Sequence, residues 1–369
     1  MQPAVSNNEC TRPHEIVDKL NAAAILQRVH VAVLEDLITL RKKGWDAEQL
    51  DTHFVNQRHS ADNASEQMNR AWFYQMRAVM RELNEVGDFV GKSPSFEFLD
   101  LGCAPGGFSS YVLHKNPWCT GVGISLPSSL GGHDMQITRR ELLAERFRMI
   151  EQDLLLYDLG RDVPGPRERS SASQLRQVPP AFTARFCLVI LDGHALRTYK
   201  PAPAIAMEGY NGANKGYMDT LLISQFILAL SAVRQGGTIV AKLTHVECFP
   251  SAHLIYLLDV ISNSLILHKP RTIHANRGTF YAIATGIGCG LLASEKERYV
   301  DGLRKLWREL KFGGADGRGR SMNPNDLDFV ITADDILGLY VHRLVELGKG
   351  AWATQAEALR GWFQRKGIL

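Results

Sequence analysis

The sequence predicts an α/β protein with a mostly parallel sheet and helices on both faces. Apolar strand-like runs alternate with helical stretches across residues 96–290, the pattern of parallel strands joined by crossover helices. Phe186-Cys187-Leu188-Val189-Ile190-Leu191 is apolar without a break, which suits a strand buried on both faces. Gly102 to Gly107 make a small-residue turn between one strand and the next helix.

Taken in order, residues 14–44 read as one helix. Ile16, Leu20, Ala23, Ile25, Val29, Val33, Leu34, Leu37 and Leu40 keep a helical period. Residues 46–63 are polar, carry His53 and His59, and read as a connection or a mobile segment. A helix follows over about 65–86, with Ser65 as N-cap and Gly87 as stop. Strands are expected at 96–101, 119–124 and 147–150, with a helix over 108–115 between the first two. The run 186–191 is the fourth strand. A helix over 217–234 is closed by Gly236-Gly237, and 238–243 is the fifth strand. Apolar stretches at 264–268 and 279–285 complete the sheet. Residues 161–181, rich in Pro, Ser and Arg, read as a surface insert, and 313–328 as a glycine- and arginine-containing loop. Helices at 333–347 and 351–366 lack strand partners and are expected to pack with the N-terminal helices. The division is a helical extension (1–95), an α/β domain (96–290) and a C-terminal helical region (291–369).

Composition excludes several classes. The 369 residues are 45% hydrophobic and 22% charged, which rules out a disordered chain. Forty-two Lys and Arg against 39 Asp and Glu give +3. That argues against a tail-driven nucleic-acid binder and leaves room for a local basic face. The six cysteines form no C-x-x-C pair and read as free thiols of a reducing compartment. No 18-residue apolar run and no signal peptide are found, so an intracellular protein, cytoplasmic or nuclear, with no membrane span is expected. Cys and His lack metal-ligand spacing, so no metal is expected. No G-x-S-x-G elbow suggests a hydrolase.

The strongest signal is Leu99-Asp100-Leu101-Gly102-Cys103-Ala104-Pro105-Gly106-Gly107-Phe108. A strand ends near an acid, and a small-residue turn opens a helix whose first N–H groups lack intrahelical partners. A dinucleotide fingerprint would read G-x-G-x-x-G, but Ala104 and Pro105 stand in its middle, and Pro105 removes a donor. Such a cradle suits a zwitterionic amino-acid tail better than a diphosphate, which points to S-adenosylmethionine.

This stretch, continued to Ser109, resembles the first motif of the FtsJ-like ribose 2′-O-methyltransferases. Asn69-Arg70-Ala71-Trp72-Phe73 is similar to the segment before their sheet. Leu188–Asp192 is similar to their fourth-strand motif, and Gly236–Lys242 to the fifth. Lys269-Pro270 with Tyr281–Gly286 is similar to the closing motif. The resemblance covers about 69–286. It implies a Rossmann-like methyltransferase fold with a seven-stranded sheet in which core strands run 3-2-1-4-5. The cofactor would then lie beyond the carboxyl ends of strands 1 and 4.

On that reading Asp100, Gly102, Ala104, Pro105, Gly106, Gly107, Phe108 and Asp192 surround the cofactor. Asp153 would accept from the adenine amine, and Leu154 would pack on the ring. The second strand ends Gly123-Ile124-Ser125, without the acid that usually holds the ribose, so Ser125 would substitute. Neighbouring strands lie about 4.8 Å apart, which puts Lys242 within reach of Asp192.

The family uses a K-D-K-E tetrad, in which one lysine takes the ribose hydroxyl proton. Asp192 and Lys242 match its second and third members. Tyr74 stands at the first and Thr279 at the last. Without a second cation, one means of lowering the pKa of Lys242 is missing. Three readings stay open: RNA ribose 2′-O-methylation with a re-recruited base (Tyr74, His194 or His245), methylation of a small molecule or other acceptor, and a silent cofactor binder. On the acceptor side, Arg197, Tyr199, Lys200, Asn211, Asn214, Lys215 and Tyr217 could hold phosphate and stack a base. Arg139, Arg140, Arg146 and Arg148 add cations.

Overall fold

The computed structural model describes residues 20–63, 65–137, 146–160, 175–200, 215–314 and 319–369. Arg139, Arg140, Asn211, Asn214, the first residues of the expected N-terminal helix and most of the insert lie outside them. The sheet has seven strands: β1 (Glu97–Leu101), β2 (Thr120–Ser125), β3 (Phe147–Glu151), β6 (Phe186–Leu191), β7 (Val233–Thr244), β8 (Ser264–His268) and β9 (Thr279–Thr285). Their order is β3-β2-β1-β6-β7-β9-β8, which contains the expected 3-2-1-4-5 core. Pairing is parallel across the first five, and β9 runs antiparallel to both neighbours. Strands β4 (Tyr157–Asp158) and β5 (Arg176–Gln177) form a separate parallel ribbon. The end of the expected insert is therefore built structure, with Phe182 buried beyond it.

β6 sits between two parallel partners and all six of its residues are buried, which explains its unbroken apolar run. Helix α5 (Gly107–Lys115) links β1 to β2. The apolar helix α6 (Lys215–Ala232) precedes β7 and α7 (Ser251–Ile261) follows it. Gly236-Gly237 does not end a helix. α6 stops at Ala232 and β7 begins at Val233. The pairing steps from Phe186↔Val233 to Leu188↔Thr238, so the glycines sit in a bulge, where a residue such as Gly236 takes a positive φ of 75°.

The N-terminal helix is broken in two, α1 (Ala22–Arg28) and α2 (Ala32–Trp45), by extended backbone at Val29. Two β-branched valines, Val29 and Val31, flank the break. Residues 46–63 are not a connection. Gln49–Asp62 form helix α3, which apolar periodicity could not reveal because it is exposed almost throughout. Helix α4 (Glu66–Gly87) is capped by Ser65 as expected, its hydroxyl accepting from Met68 N at 3.2 Å. After the sheet come α8 (Lys296–Phe312) and α9 (Val341–Lys366). The two expected C-terminal helices are continuous. α9 is entered through a turn at Ala333–Asp335 and a π-helical turn at Ile336–Tyr340. Gly348 and Gly350 lie inside α9, where Gly348 backs onto Trp352. α9 packs on α2, with Arg360 paired to Asp36 and Arg41 to Gln355, so the terminal helices meet as expected. Among the described residues, no helix is long and apolar enough to cross a membrane, and no group of His, Cys, Asp and Glu is arranged to hold a metal.

Candidate active site

The turn after β1 is held by close approaches. Gly102 has φ 83°, and a Cβ there would lie 2.4 Å from Gly193 Cα. Glycine is therefore required both by conformation and by space. Gly193 belongs to the turn after β6. Gln225 of α6 fixes that turn, accepting from Gly193 N and donating to Gly193 O, each at 2.9 Å. A glutamine inside the apolar run Leu221–Ile227 was the sequence signal for this role. The other glycines serve packing. A Cβ on Gly107 would meet Phe73 O at 2.4 Å, so its smallness lets α4 rest on α5. Gly106 is covered by Met135 and Ile137, and Gln136 N donates to Pro105 O at 2.8 Å. Phe108 is buried edge-on against Tyr281 at 5.8 Å. These three residues and Pro105 are thus held by neighbouring segments.

Asp100 lies behind the cleft. It is fully buried within β1, its Oδ2 accepts from Ser109 Oγ at 2.6 Å, and its Oδ1 has no partner. Burial pushes its carboxyl up to about 7, with Asp192 adding to the rise and Ser109 opposing it. Ser109, two residues into the helix, was not singled out from sequence.

In front of the turn is a cleft lined by Gly102, Ala104, Ser125, Asp153, Leu154, Gly193 and His194, with Leu126, His133 and Leu196. Ser125 Oγ accepts from Ala104 N at 3.3 Å. Asp153 caps the short turn Leu154–Leu156, its Oδ1 accepting from Leu155 N at 2.9 Å and its Oδ2 from Tyr199 Oη at 2.7 Å. Burial raises its carboxyl, and the two hydrogen bonds and Lys311 work against that rise. Tyr199 and Tyr217 are buried and stack on each other at 4.6 Å, and Tyr217 also lines the cleft. Apolar walls with Asp153 and Ser125 as polar points, plus exposed turn backbone, fit a nucleoside carrying an amino-acid tail.

At the carboxyl edge of β6 and β7, Lys242 Nζ lies 3.2 Å from Asp192 Oδ1. It also lies 3.4 Å from Asp192 O and 3.3 Å from His194 Nδ1. Tyr281 stands opposite Lys242 in the sheet and donates from Oη to Asp192 Oδ1 at 2.9 Å. The Lys242 charge drives the His194 pKa down. His274, also missed from sequence, belongs to the same environment. Its pKa falls to about 4 through burial, with the Lys242 charge as the next cause. Its backbone is left-handed, φ 62°, and its carbonyl accepts from buried Lys269.

The remaining positions fall away from this pair. Tyr74 is exposed on α4 with its ring against Phe73. Among the described residues, no hydrogen bond joins it to Asp192 or Lys242. Thr279 pairs with Thr244, one step along the same face from Tyr281, and its carbonyl accepts from Lys269 Nζ at 2.6 Å. The His245 ring lies against Gly278, and burial lowers its pKa. Arg146 is structural, donating to the carbonyls of Leu113 and Asn116. Arg197 pairs with Asp62 of α3 at 2.8 Å, and Arg277 donates to Gln57 of the same helix at 2.7 Å. Helix α3 thus bridges the loops on both sides of Lys242.

Comparison with known proteins gives the family. The chain is 28% identical over 196 residues to cap-specific mRNA (nucleoside-2'-O-)-methyltransferase 1 of Bos taurus, covering 53% of this chain and 22% of that protein. It is 26% identical over 218 residues to the inactive cap-specific mRNA (nucleoside-2'-O-)-methyltransferase 1B of Caenorhabditis briggsae, covering 58% and 24%. The chain therefore spans about a quarter or less of the length of these relatives. A solved RNA methyltransferase from Salinibacter ruber, in complex with S-adenosylhomocysteine, overlaps 57% of this chain and 91% of its own, with 11% identity and a TM-score of 0.31, too loose a superposition to argue from. The model of the FtsJ-like methyltransferases matches residues 74–286, the stretch that holds the glycine turn, Asp153, Asp192 and Lys242. With more than half of its length inside that match, the chain belongs to the FtsJ-like methyltransferase family, whose methyl donor is S-adenosylmethionine.

Proposed function

We propose that the protein methylates a ribose 2′-hydroxyl of RNA. The observation that carries this is the Asp192–Lys242 pair, at the edge of a cleft suited to a nucleoside with an amino-acid tail. The 2′-O-methyltransferase relatives support the choice of acceptor. S-adenosylmethionine, when bound, supplies an electrophilic methyl group. Gly102, Ala104, Ser125 and Gly193 would hold its tail and ribose, and Asp153 and Leu154 its adenine.

Lys242 orients the acceptor. An ammonium has three N–H groups, and Asp192 Oδ1, Asp192 O and His194 Nδ1 offer an acceptor for each. An engaged, charged Lys242 is a positioning group and a poor base. His194, held neutral by that charge, has Nδ1 3.3 Å from both Lys242 Nζ and Asp192 O. Paired with the Lys242 ammonium it accepts at Nδ1 and carries its proton on Nε2, and paired with the carbonyl it donates from Nδ1. We take the first pairing for the acceptor-bound site. There His194 is a hydrogen-bond donor to the acceptor rather than its base. Rate then comes mainly from alignment of the hydroxyl with the methyl group. We place the activity in the cytoplasm or nucleus, where RNA is modified, and assign it to residues 96–290, with the helical stretches 1–95 and 291–369 flanking it.

A second reading, a cofactor binder without turnover, is favoured by the exposed Tyr74 and by Thr279, neither of which supplies a charged group at this site. One experiment separates the two. Purified protein is incubated with radiolabelled cofactor and either total RNA or a metabolite extract, and labelled RNA is digested to nucleosides. Label in 2′-O-methylnucleosides supports the proposal, and label in small metabolites moves the acceptor. Cofactor binding without label in either leaves the silent reading.

A further inference from the structure

We propose that Lys311, on a helix outside the family-matched stretch, is a positioning residue for adenine recognition: it anchors the Leu154–Leu156 turn and supplies the positive charge that keeps Asp153 an acceptor. This rests on the reading of Asp153 as the partner of the adenine amine.

Lys311 is in the last turn of α8. Its Nζ donates to Leu155 O, within the turn that displays Asp153 and Leu154. The stem is fixed by the packing of α8 on α6. The ammonium lies 5.5 Å from the centre of the Trp307 ring, and Trp307 is itself buried and donates to Ser224 Oγ at 3.1 Å. The Lys311 charge acts on Asp153, and the charges of Asp153 and Asp158 act on it in return.

A carboxylate as buried as Asp153 needs compensation to stay ionised. Leu155 N–H and Tyr199 O–H give two hydrogen bonds, and Lys311, whose pKa burial lowers to about 8, adds a positive charge at neutral pH. Ionised, Asp153 can only accept, which selects the amine of adenine. Protonated, it presents a donor and tolerates a 6-oxo purine. Lys311 would thereby set which base the cleft accepts, although it contacts neither cleft nor ligand.

The test is calorimetric binding of two probes to the full chain, S-adenosylhomocysteine and S-inosylhomocysteine, at pH 7, below the Lys311 pKa of about 8. Wild type should prefer the adenosyl compound by roughly tenfold or more, the range of a hydrogen bond to a charged group. Lys311→Gln can still donate to Leu155 O but carries no charge. Its preference should shrink to about threefold or less. Lys311→Arg should retain the wild-type ratio. A Lys311→Gln ratio equal to wild type, or equal weakening toward both probes, overturns the proposal. Asp153→Asn separates the premise: if it leaves the ratio unchanged, the adenine assignment itself fails. If it collapses the ratio while Lys311→Gln does not, only the role of Lys311 fails. No binding of either probe ends both.

Discussion

Arg41 of α2, a quarter exposed, and the buried Glu247, three residues past the end of β7, form an ion pair across 206 residues of sequence. Trp352 of α9 donates to the other Glu247 oxygen at 2.8 Å, and Arg41 reaches on to Gln355 at 2.8 Å. The N-terminal helices, the C-terminal helix and the strand that carries Lys242 are thus joined at one point. Burial works to raise the Glu247 carboxyl, but Arg41 outweighs it and the pKa ends below the ordinary value.

Removing one partner strands the other. Arg41→Ala should cost about 3 kcal/mol or more, measured by urea unfolding. The double variant Arg41→Met/Glu247→Leu should recover much of that loss. Because the folded pKa of Glu247 is lowered, the stability it contributes is present above its unfolded value of 4.5 and is lost as pH falls through the folded value. Equal stability of Arg41→Ala and wild type at pH 7 would rule out this role.

Lys242→Ala should lower methyl incorporation into RNA by about a hundredfold, the scale of misplacing a reacting group. S-adenosylhomocysteine affinity should change little, because Lys242 does not line the cleft. Full methylation by the variant would remove Lys242 from the mechanism.

His194 can be dissected by two amides. Asn sets an oxygen near the Nδ1 position and keeps an acceptor for Lys242, whereas Gln sets an amide donor near the Nε2 position. His194→Asn should raise KM for the RNA acceptor with little change in the pH profile. His194→Gln should hold KM and move the pH dependence of kcat, because Lys242 loses a partner. Identical profiles for the two variants would contradict the assigned proton positions.

Asp100 should make the fold less stable in base. Its folded pKa, about 7, lies above the ordinary 3.8, so the native state binds more protons than the unfolded state between those values. Stability therefore falls as pH rises from about 4 to 7. Asp100→Asn keeps an acceptor for Ser109 and has no charge to bury, so its Tm at pH 8 should exceed that of wild type while the two converge at pH 4. A variant no more stable than wild type at pH 8 would refute the buried charge.

The sheet was legible because its residues repeat a simple rule: β6 is apolar throughout since both faces are covered, and the small-residue turn follows β1 because Gly193 leaves no room for a Cβ at Gly102. Asp192 and Lys242 were legible as charges ending apolar strands. What escaped was set by tertiary contacts. Helix α3 has no apolar face, and Gly236-Gly237 bulges a strand where local pattern reads a helix stop. Gly106, Gly107 and Phe108 pack against Ile137, α4 and Tyr281, contacts that depend on where those distant segments lie. His274 reaches the site through a loop with no periodic signal.

Helix α3 rests on the two loops beside Lys242 through Asp62–Arg197 and Gln57–Arg277, and on Trp362 through His53 and Phe54. These contacts are ionic, amide and ring-edge at the surface. An entering polymer would exchange them for its own phosphates without uncovering the hydrophobic interior. Of these supports the Asp62–Arg197 pair is the one that dissolved salt screens, so ionic strength should loosen the β6 side of the doorway to the reaction centre while the ring contacts to Trp362 hold.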